Sequence, residues 1–341
     1  MDDTRYPLCP DTIEREMLDG GFSAGWGFHF RPVPAYTFDC HVHYMGASDK
    51  LIADCAATRL TDAGAFNVAR TLLILQIYDE ALEHPADGLM DIFPWFTLDE
   101  VKTRLQGMNT DVLPWSAYVS YRNPDAQLVH AIADAGAVCM KLHNAAVIMD
   151  NAPHDVWLSP EWDKAFEVMA ARKLPVLFHV TQRLSASVYT GATRNAYWKV
   201  GWLNGVTYTN EDLLQTFLTL CKRHPDVQFI GAHQLHIGWE RLGVLLAEYP
   251  NLHIDTTVGC QLRMEDDFYP ADAEILRNFF LKWQDRILFG TDTFWDESGL
   301  DSGVYQRHMR FLSKLDLTQE ALDKIYHGTL EKLCGLAPLE R

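Results

Sequence analysis

The sequence is poor in cysteine motifs and has no long apolar run. Its seven cysteines include no Cys-x-x-Cys pair, and their odd number does not complete a disulfide framework. This excludes a thiolate zinc site of the common spacing and favours a reducing, cytoplasmic compartment. No window approaches the ~20 apolar residues of a membrane span. The first residues, MDDTRYPLCPD, do not show the basic start and apolar run of a signal peptide.

Positive charge is scarce as well. The 341 residues include 29 lysines and arginines but 46 aspartates and glutamates, which gives a formal net charge of -17. Because such a surface repels phosphate groups, neither nucleic acid nor an anionic membrane is an expected partner. A local pocket can still bind a small molecule. We therefore expect a small-molecule substrate, and a homo-oligomer such as a dimer.

The chain instead alternates apolar, strand-like runs with helix-like segments. Near-continuous apolar runs are typical of parallel strands that are buried on both faces. The segment SPEWDKAFEVMAARKLP, with Ser159 as N-cap and Pro160 in the first turn, is typical of a helix, and so is TNEDLLQTFLTLCKRHP. The strand candidates are TFDCHVH, ARTLLILQI, VLPWSAYVS, AVCMKLH, PVLFHV, VQFIGAH, NLHIDTT and RILFGTD.

Eight strands alternating with helices predict a single α/β domain, a (β/α)8 TIM barrel over residues 37–341. An open, doubly wound sheet is the alternative. Residues 1–36 have no clear period and are rich in glycine, proline and aromatic side chains, so we predict an N-terminal arm. The connection after the fifth predicted strand is long enough to be a lid or a binding loop. We interpret it as an insertion into the barrel.

The first predicted strand contains two histidines separated by one valine. Because side chains of a strand alternate between its faces, Asp39, His41 and His43 are expected to share one face. Neighbours on that face lie about 6.5 Å apart along the backbone. Two imidazoles at this spacing can bind one ion, or each can be satisfied by a separate polar partner. The pair alone leaves both interpretations open.

Later strands end in the same kind of side chain. Strand four ends in Lys141 and His143, strand five in His179, strand six in His233 and strand eight in Asp292. The active site of a (β/α)8 barrel lies at the C-terminal ends of its strands. We therefore expect these side chains to meet the two histidines of strand one around a common centre, which favours the metal interpretation.

This ordered set resembles the amidohydrolase superfamily. It most resembles the amidohydrolase-2 branch, which includes aminocarboxymuconate-semialdehyde decarboxylase and the resorcylate-type decarboxylases. The resemblance extends from about Phe38 to Leu336 and is carried by DCHVH, AVCMKLHN, LPVLFHV, VQFIGAH, GWERLGVLLAEYPNLHIDTT and RILFGTD. The sequence departs from the family in its arm, in the insertion after strand five and at Thr329, where the family commonly has asparagine.

The resemblance implies a set of metal ligands, namely His41, His43, His179 and Asp292. It also implies that His233 is catalytic or a further ligand. Three neutral imidazoles and a carboxylate suit Zn²⁺, with Mn²⁺ or Fe²⁺ as alternatives. We expect one ion per chain. Asp292 can in addition accept a proton from the attacking water, so His233 and Asp292 are the predicted catalytic pair.

Lys141 has two interpretations. In some amidohydrolases a lysine at the end of strand four is carbamylated and bridges two metal ions. We expect instead an unmodified Lys141 that pairs with Asp39 or with a carboxylate of the substrate. His143, two residues further on, is predicted to lie beside it and to contribute to substrate binding.

Two further substrate contacts are predicted beside the ligands. Arg183 lies four residues after His179, and Trp295 lies three residues after Asp292. A cationic and an aromatic side chain would suit a small, planar or unsaturated carboxylate.

The predicted function is a metal-dependent hydrolase that attacks a small, carboxylate-bearing substrate with a metal-activated water. A nonoxidative decarboxylase of an aromatic or unsaturated carboxylic acid would use the same ligands and is the main alternative. A two-metal oxygenase and a non-catalytic partner subunit are further alternatives on the same scaffold.

Overall fold

The computed structural model describes residues 34–45, 68–78, 93–107, 109–181, 206–257, 270–296, 299–300 and 302–340. The predicted arm and the predicted insertion after strand five therefore lie almost entirely outside the described residues. No helix in the described ranges is long and apolar enough to cross a membrane.

The described strands belong to one sheet, in which all the barrel strands run parallel. Along the chain they are β1 (Thr37–Tyr44), β2 (Val68–Ile77), β3 (Trp95–Phe96), β4 (Trp115–Tyr118), β5 (Cys139–His143), β6 (Val176–His179), β7 (Phe229–Gly231), β8 (Leu252–Asp255), β9 (Ile287–Leu288), β10 (Thr293–Asp296) and β11 (Gly299–Leu300). β3 is a short side strand on β2, so predicted strands three to seven correspond to β4 to β8.

The barrel closes through one interrupted strand. β9 pairs with β8, whereas β10, which follows after four residues, pairs with β1. Between them, the amide of Cys40 donates to the carbonyl of Phe289 at 2.9 Å. A Cβ at Gly290 would lie 2.7 Å from the sulfur of Cys40, so a glycine permits this close approach. β9 and β10 together form the eighth strand, and the prediction of a (β/α)8 barrel is confirmed.

Helices follow most of the strands and cover the outside of the sheet. They are α1 (Leu98–Leu105), α2 (Ala126–Asp134), α3 (Ala145–Met149), α4 (Pro160–Ala171), α5 (Asn210–Arg223), α6 (Trp239–Glu248), α7 (Pro270–Lys282), α8 (Ser302–Ser313), α9 (Gln319–Asp323) and α10 (Thr329–Cys334). The predicted N-cap is confirmed, because the Ser159 side chain accepts from the amide of Trp162. Thr209 is the N-cap of α5 and forms a capping box with Asp212.

Alternation along the strands divides the core into two layers. Leu72, Leu177 and Ile230 belong to one apolar cluster with Leu288, whereas the apolar residues next to them in the strands belong to the larger cluster, which contains most of the buried apolar helix residues. The first cluster therefore fills the barrel interior. Because Lys141, His143 and His179 share the strand face of these inner residues, they point into the barrel.

β1 departs from this regular alternation. Its pairing with β2 shifts register between Asp39 and Val42. Asp39 accepts hydrogen bonds from the hydroxyls of Tyr305 in α8, at 2.5 Å, and Thr291, at 2.6 Å. The expectation that Asp39 shares a face with His41 and His43 was wrong, because the irregularity turns its carboxylate toward α8.

A buried ion pair lies at the N-terminal end of the barrel. Arg70 in β2 and Glu331 in α10 are 2.5 Å apart, and both side chains are 3% exposed. Arg70 also donates to the carbonyls of Asp111 and Ala337, and Glu331 accepts from the hydroxyl of Tyr36. This pair links the second strand to the final helix.

Candidate active site

His41, His43 and Asp292 form a compact group at the C-terminal end of the barrel. Each offers one ligand atom, and these atoms all lie within 4.8 Å of one another. Asp292 Oδ1 is 3.2 Å from His41 Nε2 and 3.4 Å from His43 Nε2. β1 carries both histidines, and the link between β9 and β10 carries the aspartate. The closing of the barrel therefore assembles the group.

Asp292 has a left-handed backbone, with φ of 56°. Such a conformation is uncommon outside glycine and costs on the order of 1–3 kcal/mol. Asp292 lies between β9, which pairs with β8, and β10, which pairs with β1. Backbone strain of this kind clusters at functional sites, because the surrounding structure has to maintain it.

His41 presents an unprotonated nitrogen to the centre of this group. Its Nδ1 lies 2.9 Å from Asp255 Oδ2. Burial raises the pKa of Asp255, but two donors to its Oδ1, the His233 amide and the Thr257 hydroxyl, favour the ionised carboxylate, which can only accept, so Nδ1 carries the hydrogen. Burial and the nearby Lys141 ammonium lower the pKa of His41 well below its ordinary value, so the ring is neutral. Nε2 then has a lone pair that faces Asp292.

Asp292 is ionised despite its surroundings. Burial acts to raise its pKa, but a proton bound in this group resides on an imidazole nitrogen of His41, His43 or His233 rather than on the carboxylate, so the pKa of Asp292 lies well below its ordinary range. Burial also lowers the pKa of His43, which favours its neutral form. Two neutral imidazoles and an ionised carboxylate are ligands that suit divalent transition metals, so these residues fit a metal ion.

His179 and His233 lie beside the compact group. His179 Nδ1 is 3.1 Å from His233 Nε2, and that same nitrogen of His233 is 3.8 Å from Asp292 Oδ2. The ring of His179 also lies 4.0 Å from the ring of His143. His179 therefore reaches Asp292 through His233, and its assignment as a fourth ligand remains a prediction.

His233 begins a left-handed turn. Four consecutive residues, 233 to 236, have φ between 49° and 58°. The His233 amide donates to Asp255 Oδ1 at 2.7 Å, and the Gln234 side chain donates to the carbonyls of Asp255 and Thr257. His236 stacks on His233 with ring centroids 4.9 Å apart. The turn aims His233 at the metal-ligand group.

Lys141 points at the same centre but not at its expected partner. Its Nζ lies 2.8 Å from His41 Nε2, and burial lowers its pKa to about 8. Pairing of Lys141 with a carboxylate of the substrate remains a prediction, whereas its described contacts include no ion pair with Asp39, the other expected partner. The reason is that Asp39 is turned toward Tyr305 and Thr291.

The other predicted substrate contacts are only partly described. His143 Nδ1 accepts from the amide of Ala145 at 2.8 Å, at the start of α3. Trp295 lies in β10 with Tyr44 as its Cα partner, and nothing is described of its side chain. Arg183 lies outside the described residues. Their roles in substrate binding remain predictions.

The sequence reasoning missed two kinds of site residue. Asp255 ends β8 in NLHIDTT and obeys the same rule of a polar strand end, so the signal was available. Phe93 stacks on His43 with centroids 4.6 Å apart, and Phe294 lies 5.7 Å from Phe93 and is 39% exposed. These phenylalanines had no distinguishing sequence signal.

The fold and the site together define a (β/α)8 barrel with a metal-binding group at its C-terminal mouth. A family model described as amidohydrolase, of the amidohydrolase-2 type, matches residues 38–336. The chain therefore belongs to the amidohydrolase-2 family, which comprises metal-dependent hydrolases and decarboxylases. A search of curated protein sequences found no match.

Solved structures share the fold at low sequence identity. One is a 5-carboxyvanillate decarboxylase from Sphingomonas paucimobilis, with 10% identity, 89% of this chain and 99% of that chain covered, and a TM-score of 0.53. Another is the manganese complex of a 5-carboxyvanillate decarboxylase from Novosphingobium aromaticivorans, with 12% identity, 88% and 96% covered, and a TM-score of 0.52. A third is a probable 2-pyrone-4,6-dicarboxylic acid hydrolase from Acinetobacter baumannii, with 13% identity, 88% and 99% covered, and a TM-score of 0.52. At these identities the likeness establishes the fold alone.

Proposed function

We propose that the protein is a metal-dependent hydrolase of a small, carboxylate-bearing substrate. The observation that carries the proposal is the contact between two acceptors: the lone pair of His41 Nε2 faces the Asp292 carboxylate at 3.2 Å. Such groups repel unless a cation lies between or beside them, and the Lys141 ammonium, 2.8 Å from His41 Nε2, occupies the place that we propose for a metal ion. We propose Zn²⁺, with Mn²⁺ or Fe²⁺ as alternatives, one ion per chain, and His179 as the fourth ligand.

Lys141 is part of this proposal. Its ammonium lies against His41 Nε2, the nitrogen that the metal would use. A neutral imidazole nitrogen has one lone pair, so the ammonium has to withdraw when an ion binds. The displaced ammonium would then be available to a substrate carboxylate, together with Arg183, His143 and Trp295.

The side chains around the site have distinct roles in hydrolysis. A divalent ion held there would supply an attacking water of lowered pKa, near 7 for zinc. Asp292 accepts the proton of that water. His233 Nε2, 3.8 Å from Asp292 Oδ2, would take this proton from Asp292 and, as an imidazolium, deliver it to the leaving group.

A nonoxidative decarboxylase is the second candidate function. The aromatic wall formed by Phe93 and Phe294 beside His43 favours it, because stacked aromatic side chains suit a planar acid. In that reaction the same cation would hold the substrate carboxylate, and an acid such as His233 would protonate carbon.

Labelled water distinguishes the two reactions. The zinc-loaded protein would be incubated in ¹⁸O water with small lactones, cyclic imides and aromatic carboxylic acids. Hydrolysis is expected to place ¹⁸O in a new carboxylate without release of CO₂. Release of CO₂ and formation of a new C–H bond would establish decarboxylation instead. A His41→Ala variant is the matched control, because it should lose either activity together with the ion.

A further inference from the structure

Asp255 is fully buried at the end of β8, and its two oxygens have different partners. Oδ2 accepts from His41 Nδ1 at 2.9 Å. Oδ1 accepts from the His233 amide and from the Thr257 hydroxyl, both at 2.7 Å. One carboxylate therefore touches a proposed metal ligand and the proposed proton donor at the same time.

The contact with His41 decides which nitrogen is available to a metal. A neutral imidazole carries a hydrogen on only one nitrogen. Because Asp255 Oδ2 takes the Nδ1 hydrogen, Nε2 is left as the acceptor that points into the site. A carboxylate in this place also increases the basicity of the ligating ring and limits its rotation.

The contact with His233 anchors a strained backbone. The Asp255 carboxylate holds the first amide of the left-handed turn, where His233 has a φ of 58°. The Thr257 hydroxyl supports the same residue, since it lies 3.1 Å from His233 Nδ1 and donates to Asp255 Oδ1. Gln234 holds the turn independently through backbone carbonyls, so the turn does not depend on Asp255 alone.

We propose that Asp255 is a positioning residue that fixes His41 as an Nε2 metal ligand and, through its other oxygen, holds the turn that carries His233. The inference rests on the proposed metal site. It adds a residue that does not itself touch the ion or the substrate, and it couples two parts of the site through one side chain.

Asp255→Asn tests the proposal with little change in shape. If the new side-chain amide turns its oxygen toward His41, its NH₂ group faces the backbone N–H of His233. Two donors then face each other, which is unfavourable. If the NH₂ faces His41, Nδ1 becomes the acceptor and Nε2 carries the hydrogen, which blocks the metal. The expected result is an affinity for Zn²⁺ that is about 10–100-fold weaker by calorimetric titration of the metal-free protein.

A second readout is the absorption spectrum of Co²⁺ bound in place of zinc. This spectrum should change in Asp255→Asn, whereas a general loss of stability would not change it.

Thr257→Val is the matched control. It removes a hydrogen bond to the same carboxylate, but at Oδ1 rather than at the oxygen that holds His41. Zn²⁺ affinity within about threefold of the wild type is expected. If Thr257→Val weakens binding as much as Asp255→Asn, the effect comes through packing of the turn and the proposal is overturned. Wild-type affinity in Asp255→Asn overturns it directly.

Asp292→Asn distinguishes failure of the Asp255 proposal from failure of the proposed metal site. This variant should lose the ion even though Asp255 is unchanged. Wild-type Zn²⁺ affinity in Asp292→Asn would reject the proposed metal site rather than the role of Asp255. If Asp255→Asn does not fold, a crystal structure of the zinc-loaded wild type decides. We expect His41 to bind through Nε2 and to keep its Nδ1 contact with Asp255, and binding through Nδ1 would overturn the inference.

Discussion

The two ends of the barrel both bury charged side chains, but they satisfy them differently. At the N-terminal end, Arg70 supplies donors to Glu331 and to two carbonyls, and Glu331 accepts from Tyr36 and from His327 as well. Each of these donors at the N-terminal end is therefore paired with an acceptor. At the C-terminal mouth, the His41 lone pair faces the Asp292 carboxylate, and the Lys141 ammonium lies 2.8 Å from the same nitrogen. A network of paired donors and acceptors stabilises a fold, whereas two facing acceptors held by one displaceable ammonium provide a place for a metal ion.

Left-handed backbone is concentrated at the mouth. Of the eight described non-glycine residues with positive φ, five lie at the mouth: His233, Gln234, Leu235, His236 and Asp292. Strain of that kind persists only where surrounding contacts enforce it. The mouth therefore costs stability that the N-terminal network does not, which is typical of a site built for chemistry.

The largest expected effect is on catalysis at the mouth. His233→Ala should lower the rate constant by about 10²–10⁴-fold while zinc content stays near the wild-type value, because His233 transfers protons without being a required ligand. Turnover and metal analysis of the same preparation measure both quantities. Loss of the ion together with activity would make His233 a ligand and contradict this assignment.

The next effect concerns stability at the other end. Arg70→Met leaves Glu331 buried without its cation and should lower the free energy of unfolding by about 3–5 kcal/mol in urea titrations. Zn²⁺ affinity should not change, since the pair is remote from the mouth. Adding Glu331→Gln to this variant should restore part of the loss. A variant that binds zinc more weakly would show that the two ends are coupled.

A smaller effect on the free energy of unfolding is expected from binding of the metal ion. Zinc at a free concentration of about 100 times its dissociation constant should raise the free energy of unfolding by about 2.7 kcal/mol, because the ion binds only the folded chain. Arg70→Met should gain the same amount as the wild type, whereas Asp292→Asn should gain nothing. Thermal or urea unfolding with and without a chelator gives these values. An equal gain in all three proteins would place the ion elsewhere.

The smallest effect concerns acid sensitivity at the start of β8. Burial, with Arg286 and Lys332 nearby, lowers the pKa of His253 from 6.5 to about 3. Between these values the unfolded chain binds a proton that the folded one does not, so stability falls as pH falls. His253→Gln should reduce the loss between pH 8 and 5.5 by on the order of 1 kcal/mol. Identical losses in variant and wild type would show that His253 does not contribute.

Much of the architecture was readable from local sequence. The strands were predicted because buried parallel strands are continuously apolar, and the cap at Ser159 because a serine hydroxyl can accept from an amide of the first helical turn. The convergence of His41, His43 and Asp292 followed from one rule, that polar side chains at strand ends meet at the mouth of a barrel. Each inference needs only the residues of one strand or helix and the fact that all barrel strands end at the same mouth.

Contacts between distant elements could not be read in this way. The register shift in β1 turned Asp39 away from Lys141, and a strand sequence does not reveal a shift that arises from pairing with β2. His41 and Asp255 are 214 positions apart and meet only because the closed barrel brings β1 and β8 to one mouth. The sequence determined which side chains point inward at the strand ends, because alternation is a local property. Tertiary structure decided which of these side chains form hydrogen bonds with one another and which lone pairs face a common centre, because the directions of donors and acceptors depend on atoms from several strands.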